Sequence, residues 1–217
     1  LSSVAQTTMW LARAPAVTLP ALTCSDAARA HARVSADGWR LRPLVRMQRP
    51  VETADGPDTA AFTIVRVEPD VMPEGRIQIL THRTESTVWQ KRWLTHPNGT
   101  LALTDVLIAS PDVAEAASRF ERFIGRKARA NAFGEATLAL DRGKIHLMSE
   151  QSFAGLLPEI SIPGLPLIGA YALRVQSLAA VEALLKQERM PMRRLGAALV
   201  VPFPEALGIG AWLFAEN

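Results

Sequence analysis

The sequence repeats one pattern three times: a short apolar strand, a small or acidic turn, and an alanine-rich helix. The copies open at Leu19 (LPALTCSDAARAHARVSADG), Leu101 (LALTDVLIASPDVAEAASRFERFIG) and Ile168 (IGAYALRVQSLAAVEALLKQERM). Strand-like runs follow each helix and are separated by Gly, Pro or charged turns. A recurrence of this size indicates a repeated supersecondary unit. Each unit reads strand, helix and three strands, and it needs a partner unit to bury its open sheet face.

The repeat predicts an α+β fold built of βαβββ modules, with curved mixed sheets and helices on the outside. Module one is expected over residues 19–99, module two over 100–155 and module three over 166–217. Residues 1–18 are expected to be the remnant of a preceding segment. The stretch Leu156–Pro166 is rich in Pro and Gly, which predicts a linker that crosses the surface between modules two and three.

Helix starts and stops are marked by residues that satisfy unpaired backbone groups. Ser25–Asp26, Ser110–Asp112 and Ser177 are predicted to cap the three helices, since their side-chain oxygens accept from the first free N–H groups. Gly38 and Gly125 are predicted to end the first two helices. A tight Asp-Arg-Gly turn is expected to join the last two strands of module two.

Charge and composition exclude several classes of function. The formal net charge is +3, with basic residues scattered among acids. The densest basic stretch, Arg40–Arg49, has strand-like spacing and few aromatic residues, so it predicts a solvated strand face and no nucleic-acid partner. No apolar run approaches the roughly 20 residues that span a bilayer, so no membrane partner is expected.

The single cysteine, Cys24, cannot form an internal disulfide. This predicts a reducing, cytoplasmic location. Cys24 lies in the first apolar strand without a His or Asn signature around it, so it is predicted to be a small buried hydrophobe.

The segment Pro73–Asp112, PEGRIQILTHRTESTVWQKRWLTHPNGTLALTDVLIASPD, resembles glyoxalase-like domain proteins. These form a branch of the vicinal-oxygen-chelate superfamily, which includes glyoxalase I and extradiol dioxygenases. The resemblance depends on GRIQ, His82, VWQ, Trp93 and HPNG, in that order along the segment. The helix-opening repeats extend the resemblance over nearly the whole chain. The resemblance implies paired modules that form a cup. With three modules, either a fourth precedes Leu1 or the third pairs across a homodimer.

The resemblance also implies a divalent metal, Zn, Ni, Mn or Fe, held in the cup by side chains from the first and last strands of each module. The matching positions that can ligate are Gln78, Asp105 and His146. The remaining matching positions, near Leu19, Ala170 and Leu213, cannot ligate through their side chains. The residues themselves leave alternatives open: Asp105 as an outward strand residue, and His146 as a satisfied, half-buried histidine.

Two further candidates flank this set. Gln78, Leu80 and His82 alternate on one strand face, and His82 is the acid–base candidate because a histidine titrates nearest neutrality. Trp89, Trp93, His96 and Asn98 form a compact group that is either a ligand-pocket wall or a packed linker with a turn at Pro97–Gly99.

The sequence therefore supports two classes of function, each with a small molecule as partner. The first is a lyase, isomerase or dioxygenase-type enzyme that uses a divalent metal in a cup between modules. The alternative is a metal-free protein that binds or sequesters a small molecule. Four convergent ligands would favour the enzyme, and fewer than three would favour binding. A vestigial pocket, in which the face that bears Gln78 and His82 is packed shut, is a third possibility.

Overall fold

The computed structural model describes residues 20–216. It divides into two compact units, the first ending at Leu94 and the second beginning at Thr95. The expected remnant over residues 1–18 and the first-strand position near Leu19 lie outside the described residues.

The first unit contains one βαβββ repeat followed by a short α2 helix (Glu85–Val88) and a 3-10 turn (Lys91–Trp93). Its elements are β1 (Ala21–Thr23), α1 (Ala27–Ala36), β2 (Val45–Thr53), β3 (Gly56–Arg66) and β4 (Gln78–His82). The four strands form one sheet in the order β1-β4-β3-β2. β1 runs parallel to β4, and the other neighbours are antiparallel, so the sheet is mixed.

The second unit contains two further βαβββ repeats. The first of these comprises β5 (Thr100–Ala109), α3 (Val113–Ile124), β6 (Ala128–Ala130), β7 (Ala136–Ala139) and β8 (Lys144–Met148). Helix α4 (Glu150–Leu156) follows. The last repeat comprises β9 (Leu167–Val175), α5 (Leu178–Gln187), β10 (Arg193–Leu195), β11 (Ala198–Pro202), a 3-10 turn (Glu205–Leu207) and β12 (Ala211–Ala215).

The strands of the second unit form one eight-stranded sheet in the order β10-β11-β12-β9-β5-β8-β7-β6. The two repeats meet through their first strands, β5 and β9, which pair antiparallel. In each repeat the first strand runs parallel to the last. The α+β class with repeated βαβββ modules is thus confirmed, and the third repeat finds its pairing partner within the chain.

Local signals for the helices are confirmed by the capping contacts. Asp26 Oδ1 accepts from the N–H groups of Ala28 and Arg29 at 2.9 and 3.0 Å. Asp112 and Ser177 make the equivalent contacts at the starts of α3 and α5. Gly125 ends α3 in the left-handed conformation with φ 78°. Each cap satisfies backbone donors that the helix cannot pair internally.

The prediction that Leu156–Pro166 is a surface linker is wrong for two of its apolar residues. Leu157 is fully buried and Ile160 is 7% exposed. Together with Phe153 of α4 they pack against one face of the eight-stranded sheet, in a cluster that includes Leu107, Ala109, Leu167, Ala170, Val200 and Ala211. The Pro and Gly residues shape the crossing, but apolar residues leave water to cover an otherwise bare sheet face. We call Phe153, Leu157 and Ile160 the sheet plug.

The basic stretch follows its prediction only in part. Arg46 and Arg49 are exposed on β2, as expected for a solvated strand face. Arg40 and Arg42 precede that strand and form ion pairs with Asp70 and Glu68. Cys24 is partly buried, with its Sγ 3.4 Å from Thr81 Oγ1. None of the helices within residues 20–216 combines the length and the apolar composition of a membrane span.

The plug predicts that Gly169 on β9 tolerates no side chain. A Cβ placed there would lie 2.3 Å from Phe153 Cζ, and the Phe153 ring is fully buried and cannot move away without repacking. We expect Gly169→Ala to lower the free energy of unfolding by about 1–3 kcal/mol. Chemical denaturation followed by circular dichroism measures the change.

Gly155 is the matched control, because a Cβ at this α4 position meets no atom within 4 Å. We expect Gly155→Ala to leave stability unchanged or raise it by up to about 1 kcal/mol, since alanine favours a helix over glycine. Equal effects of the two substitutions would contradict the packing of Phe153 on β9.

Candidate functional site

Three polar side chains form a hydrogen-bonded chain on the eight-stranded sheet. His146 Nε2 lies 2.6 Å from Asp105 Oδ1, and His146 Nδ1 lies 3.2 Å from Thr137 Oγ1. The side chains of His146 and Asp105 are 29% and 21% exposed, so they are shielded but reachable. We call these three residues the Asp105–His146–Thr137 chain.

Strand register places the three side chains on one face. β5 and β8 are parallel, with Leu107 opposite His146 and Asp105 opposite Lys144, so Asp105, Leu107 and His146 project to the same side. The β7–β8 hairpin is antiparallel and sets Thr137 directly opposite His146. The side chains of directly opposed residues are close enough to bond across the hairpin.

The hydrogen-bonding roles follow from the chemistry of each group. An ionised carboxylate can only accept, so the Nε2–H of His146 donates to Asp105. The Thr137 hydroxyl can donate to a neutral Nδ1 or accept from a protonated one. Both protonation states of the ring therefore keep both hydrogen bonds, which suits a histidine that exchanges a proton with a bound molecule.

The Asp105–His146–Thr137 chain lies at the border of the sheet plug. Leu107, two residues along β5 from Asp105, is 5% exposed and belongs to the plug cluster. Met148, two residues along β8 from His146, is 6% exposed and belongs to it as well. The plug therefore closes the sheet face on one side of the chain, and the polar groups begin where the apolar cover ends.

Asp105 and His146 are two of the three residues that are predicted to hold a divalent metal. The structure brings Asp105 and His146 together, but both nitrogens of His146 are already engaged. Their neighbours across the sheet, Ala172 on β9 and Leu213 on β12, offer no ligand atoms. Within residues 20–216, no group of three or more His, Cys, Asp or Glu side chains is arranged to hold a metal ion.

Gln78, the third predicted ligand, lies in the first unit. It opens β4, is 7% exposed, and its Oε1 has no hydrogen-bond partner within the described residues. Its register partner on β3 is Arg66. The metal site formed by Gln78, Asp105 and His146 together stays a prediction.

His82 lies at the end of β4 in an aromatic setting. Its ring meets Phe62 edge-on at 5.2 Å between centroids, and Trp89 at 6.0 Å. The Nδ1 atom is buried without a hydrogen-bond partner in the part of the chain that the structure describes. The proposed acid–base role of His82 remains a prediction, and these contacts describe a packed ring with one unused nitrogen.

The compact group of Trp89, Trp93, His96 and Asn98 spans the boundary between the units. Trp89 and Trp93 are 48% and 60% exposed, and the Arg92 guanidinium lies 4.8 Å from the Trp93 ring centroid. The Gly99 N–H donates to the His96 carbonyl, and Asn98 Oδ1 accepts from the Thr100 N–H. His96–Gly99 therefore forms a turn, as the structural alternative predicts, and the pocket-wall role stays untested.

Sequence reasoning missed Thr137. Thr137 was within reach, because the Asp-Arg-Gly turn sets Leu140 opposite Gly143, and counting back along the hairpin pairs Thr137 with His146.

The sequence matches the family model of the glyoxalase-like domain over residues 3–124, more than half of the chain. No curated protein matches the chain by sequence.

Two of the solved structures that match this chain share its fold at low sequence identity. A hypothetical protein from Staphylococcus aureus has a TM-score of 0.60 at 8% identity, and the match covers 89% of this chain and 64% of that one. The Mn(II)-bound glyoxalase from Novosphingobium aromaticivorans has a TM-score of 0.53 at 14% identity, over 93% of this chain and 64% of that one. Methylmalonyl-CoA epimerase from Mycobacterium tuberculosis has a TM-score of 0.43 at 22% identity, over 58% and 95%. The chain thus spans about two thirds of the length of the first two.

The hydrogen bonds of His146 predict its tautomer. We expect the neutral ring to carry its proton on Nε2, because Asp105 can only accept. Asp105→Asn should remove this preference, since an amide offers a donor as well as an acceptor, whereas Thr137→Val should retain it. Long-range proton–nitrogen correlation spectra of the imidazole distinguish the tautomers. A neutral ring protonated on Nδ1 in the wild-type protein would contradict the contact with Asp105.

Proposed function

We propose that this protein, which belongs to the glyoxalase-like domain family, binds a small molecule on the eight-stranded sheet. The molecule lies over the Asp105–His146–Thr137 chain. The observation that carries the proposal is this hydrogen-bonded chain, partly exposed at the border of the sheet plug. Buried polar groups are normally paired, and a paired, partly exposed set beside an apolar wall is typical of a ligand site.

Each residue has a distinct task in this proposal. Thr137 offers its hydroxyl to an oxygen or nitrogen of the ligand, while Asp105 fixes the ring of His146 and its tautomer through the 2.6 Å contact. When the Thr137 hydroxyl turns toward the ligand, His146 Nδ1 accepts a proton from the ligand and can return it. Leu107 and the plug supply the apolar side and exclude water. The site can therefore bind and polarise a hydroxyl or carbonyl compound without a metal step.

A metal-dependent lyase, isomerase or dioxygenase-type enzyme is the second candidate. One observation favours it: a carboxylate and an imidazole, both ligands of divalent metals, touch on adjacent strands. Two such ligands are too few to hold a catalytic metal firmly, and the neighbouring Ala172 and Leu213 add none. Fewer than three convergent ligands favour binding over metal chemistry, which is why the metal-free function is the better supported.

The test combines elemental mass spectrometry with a screen of small hydroxyl and carbonyl compounds by amide chemical shifts. We expect metal well below one equivalent, even after reconstitution with Mn²⁺, Zn²⁺, Ni²⁺ or Fe²⁺. Compounds that bind should shift amides of β5, β7 and β8. Thr137→Val and His146→Gln should weaken their binding about tenfold or more, as expected when one polar contact to a ligand is lost.

Asp105→Asn, which disturbs the tautomer of His146, should also weaken binding. Asp141→Asn is its matched control, because the Asp141 side chain is 83% exposed and its substitution removes the same charge from the same unit. Compounds should bind this control as they bind the wild type. Near-stoichiometric metal that His146→Gln abolishes would overturn the metal-free function in favour of the second candidate. A screen in which no compound shifts these strands would sink the binding proposal.

A further inference from the structure

The first unit contains a cavity that is lined by the start of α1 and by the four-stranded sheet. Its volume is about 530 Å³, which lies in the size range of small-molecule sites. Thr63 on β3 and Thr81 on β4 line it and are register partners. They alternate with Phe62 and His82 along their strands. The cavity therefore lies on the opposite face of the sheet from the ring of His82.

Two arginines line the same cavity from the strands on either side of β3. Arg46 on β2 is the register partner of Thr63, and Arg83 directly follows β4, two residues after Thr81. Both arginines therefore leave the sheet on the face of the cavity. Their side chains are exposed, and within residues 20–216 neither guanidinium has a hydrogen-bond or ion-pair partner. Both cations are accessible to a bound molecule.

The charge of the cavity lining is positive. Among the described residues that line it, Asp26 is the only acidic one. Its Oδ1 accepts from the N–H groups of Ala28 and Arg29 and so caps α1. One carboxylate, already engaged by the helix, thus stands against two guanidinium groups that have no partner. This balance favours an anionic ligand.

The two threonine hydroxyls of the cavity differ in what they can offer a ligand. Thr81 Oγ1 donates to the carbonyl of Cys24 at 3.0 Å, so its proton is in use. The half-buried Thr63 has no side-chain hydrogen-bond partner in the described part of the chain. Because β3 lies between β2 and β4, Thr63 stands between the strands that lead to Arg46 and Arg83. Free donors therefore surround one position over β3.

We infer that this cavity binds a small phosphomonoester in its dianionic form. The phosphoryl group lies over Thr63, whose hydroxyl donates to one oxygen, and it accepts from the guanidinium groups of Arg46 and Arg83. Arginine forms paired, charge-assisted hydrogen bonds with phosphate, and a dianion matches two unpaired cations. A carboxylate carries one charge and only two oxygens, so it would leave one of the three donors unused. The rest of the cavity holds the organic part of the ester.

This site is independent of the binding proposed for the eight-stranded sheet. All residues that line the cavity belong to the first unit, whereas Asp105, His146 and Thr137 belong to the second. Either site can therefore be removed by substitution without altering the side chains of the other.

The test titrates the full chain with methyl phosphate and with methyl sulfate at equal ionic strength, and it follows amide chemical shifts. At about pH 8 methyl phosphate is a dianion, because its second proton dissociates near pH 6. Methyl sulfate has nearly the same shape but a single negative charge. We expect methyl phosphate to shift amides of β2, β3 and β4 and to bind at least about tenfold more tightly than methyl sulfate.

Substitutions isolate the contribution of each donor. Arg46→Met and Arg83→Met should each weaken binding of methyl phosphate about tenfold or more, because each removes a charge-assisted contact. Thr63→Val should weaken it about threefold to tenfold, as expected for a neutral hydrogen bond. Arg49→Met is the matched control for Arg46→Met. It removes the same charge from an exposed position of β2, but on the opposite face, and should keep the affinity of the wild type.

Equal losses of affinity in Arg46→Met and Arg49→Met would overturn the site, since the anion would then respond only to the net charge of the protein. Equal affinity of the wild type for methyl phosphate and methyl sulfate would overturn the preference for a dianion. If Arg46→Met does not fold, Arg83→Met tests the same cavity from the other side of β3. Thr137→Val should bind methyl phosphate as the wild type does, so failure of either proposal is distinguishable from failure of the other.

Discussion

The antiparallel pairing of β5 with β9 is the contact on which the second unit depends. Each βαβββ repeat leaves its first strand with one unpaired side, and an unpaired strand exposes a row of backbone donors and acceptors. Joining the two first strands removes both edges at once and yields one continuous sheet of eight strands. The register shifts at three places along this pairing, and such irregularities increase the local bend of a sheet.

The plug decides where polar chemistry can occur on that sheet. Phe153, Leu157 and Ile160 occupy the face around Leu107 and Ala170, so that part of the sheet is closed to solvent. The Asp105–His146–Thr137 chain lies at the border of the plug. There the three side chains hydrogen-bond to one another and keep partial access to water. The segment that joins the last two repeats therefore both stabilises the fold and delimits the candidate site.

The two units use equivalent strand positions differently. On the eight-stranded sheet, the first and last strands of a repeat contribute a carboxylate and an imidazole that satisfy each other. On the four-stranded sheet, the last strand contributes Gln78, which lies opposite Arg66 in the strand register. One backbone plan thus presents a hydrogen-bonded carboxylate and imidazole in one place and an amide opposite a guanidinium in the other, which illustrates why a fold alone does not define a function.

Local features of the structure were predictable from the sequence. The caps at Asp26, Asp112 and Ser177 depend on contacts within a single helical turn, and the strands follow alternating apolar residues. The family resemblance indicated Asp105 and His146 as functional positions on their strands. The short hairpin turn would also have supplied Thr137, because a turn of fixed length fixes the register.

The sequence by itself determined the repeated module, its helices and its strands, because those depend on neighbours along the chain. Only the tertiary structure decided that β5 pairs with β9, that Leu157 and Ile160 cover a sheet face, and that Arg66 opposes Gln78. These contacts join residues across loops whose length sets no register. Their outcome depends on burial of apolar surface and on charge, both of which act through space without regard to separation along the chain.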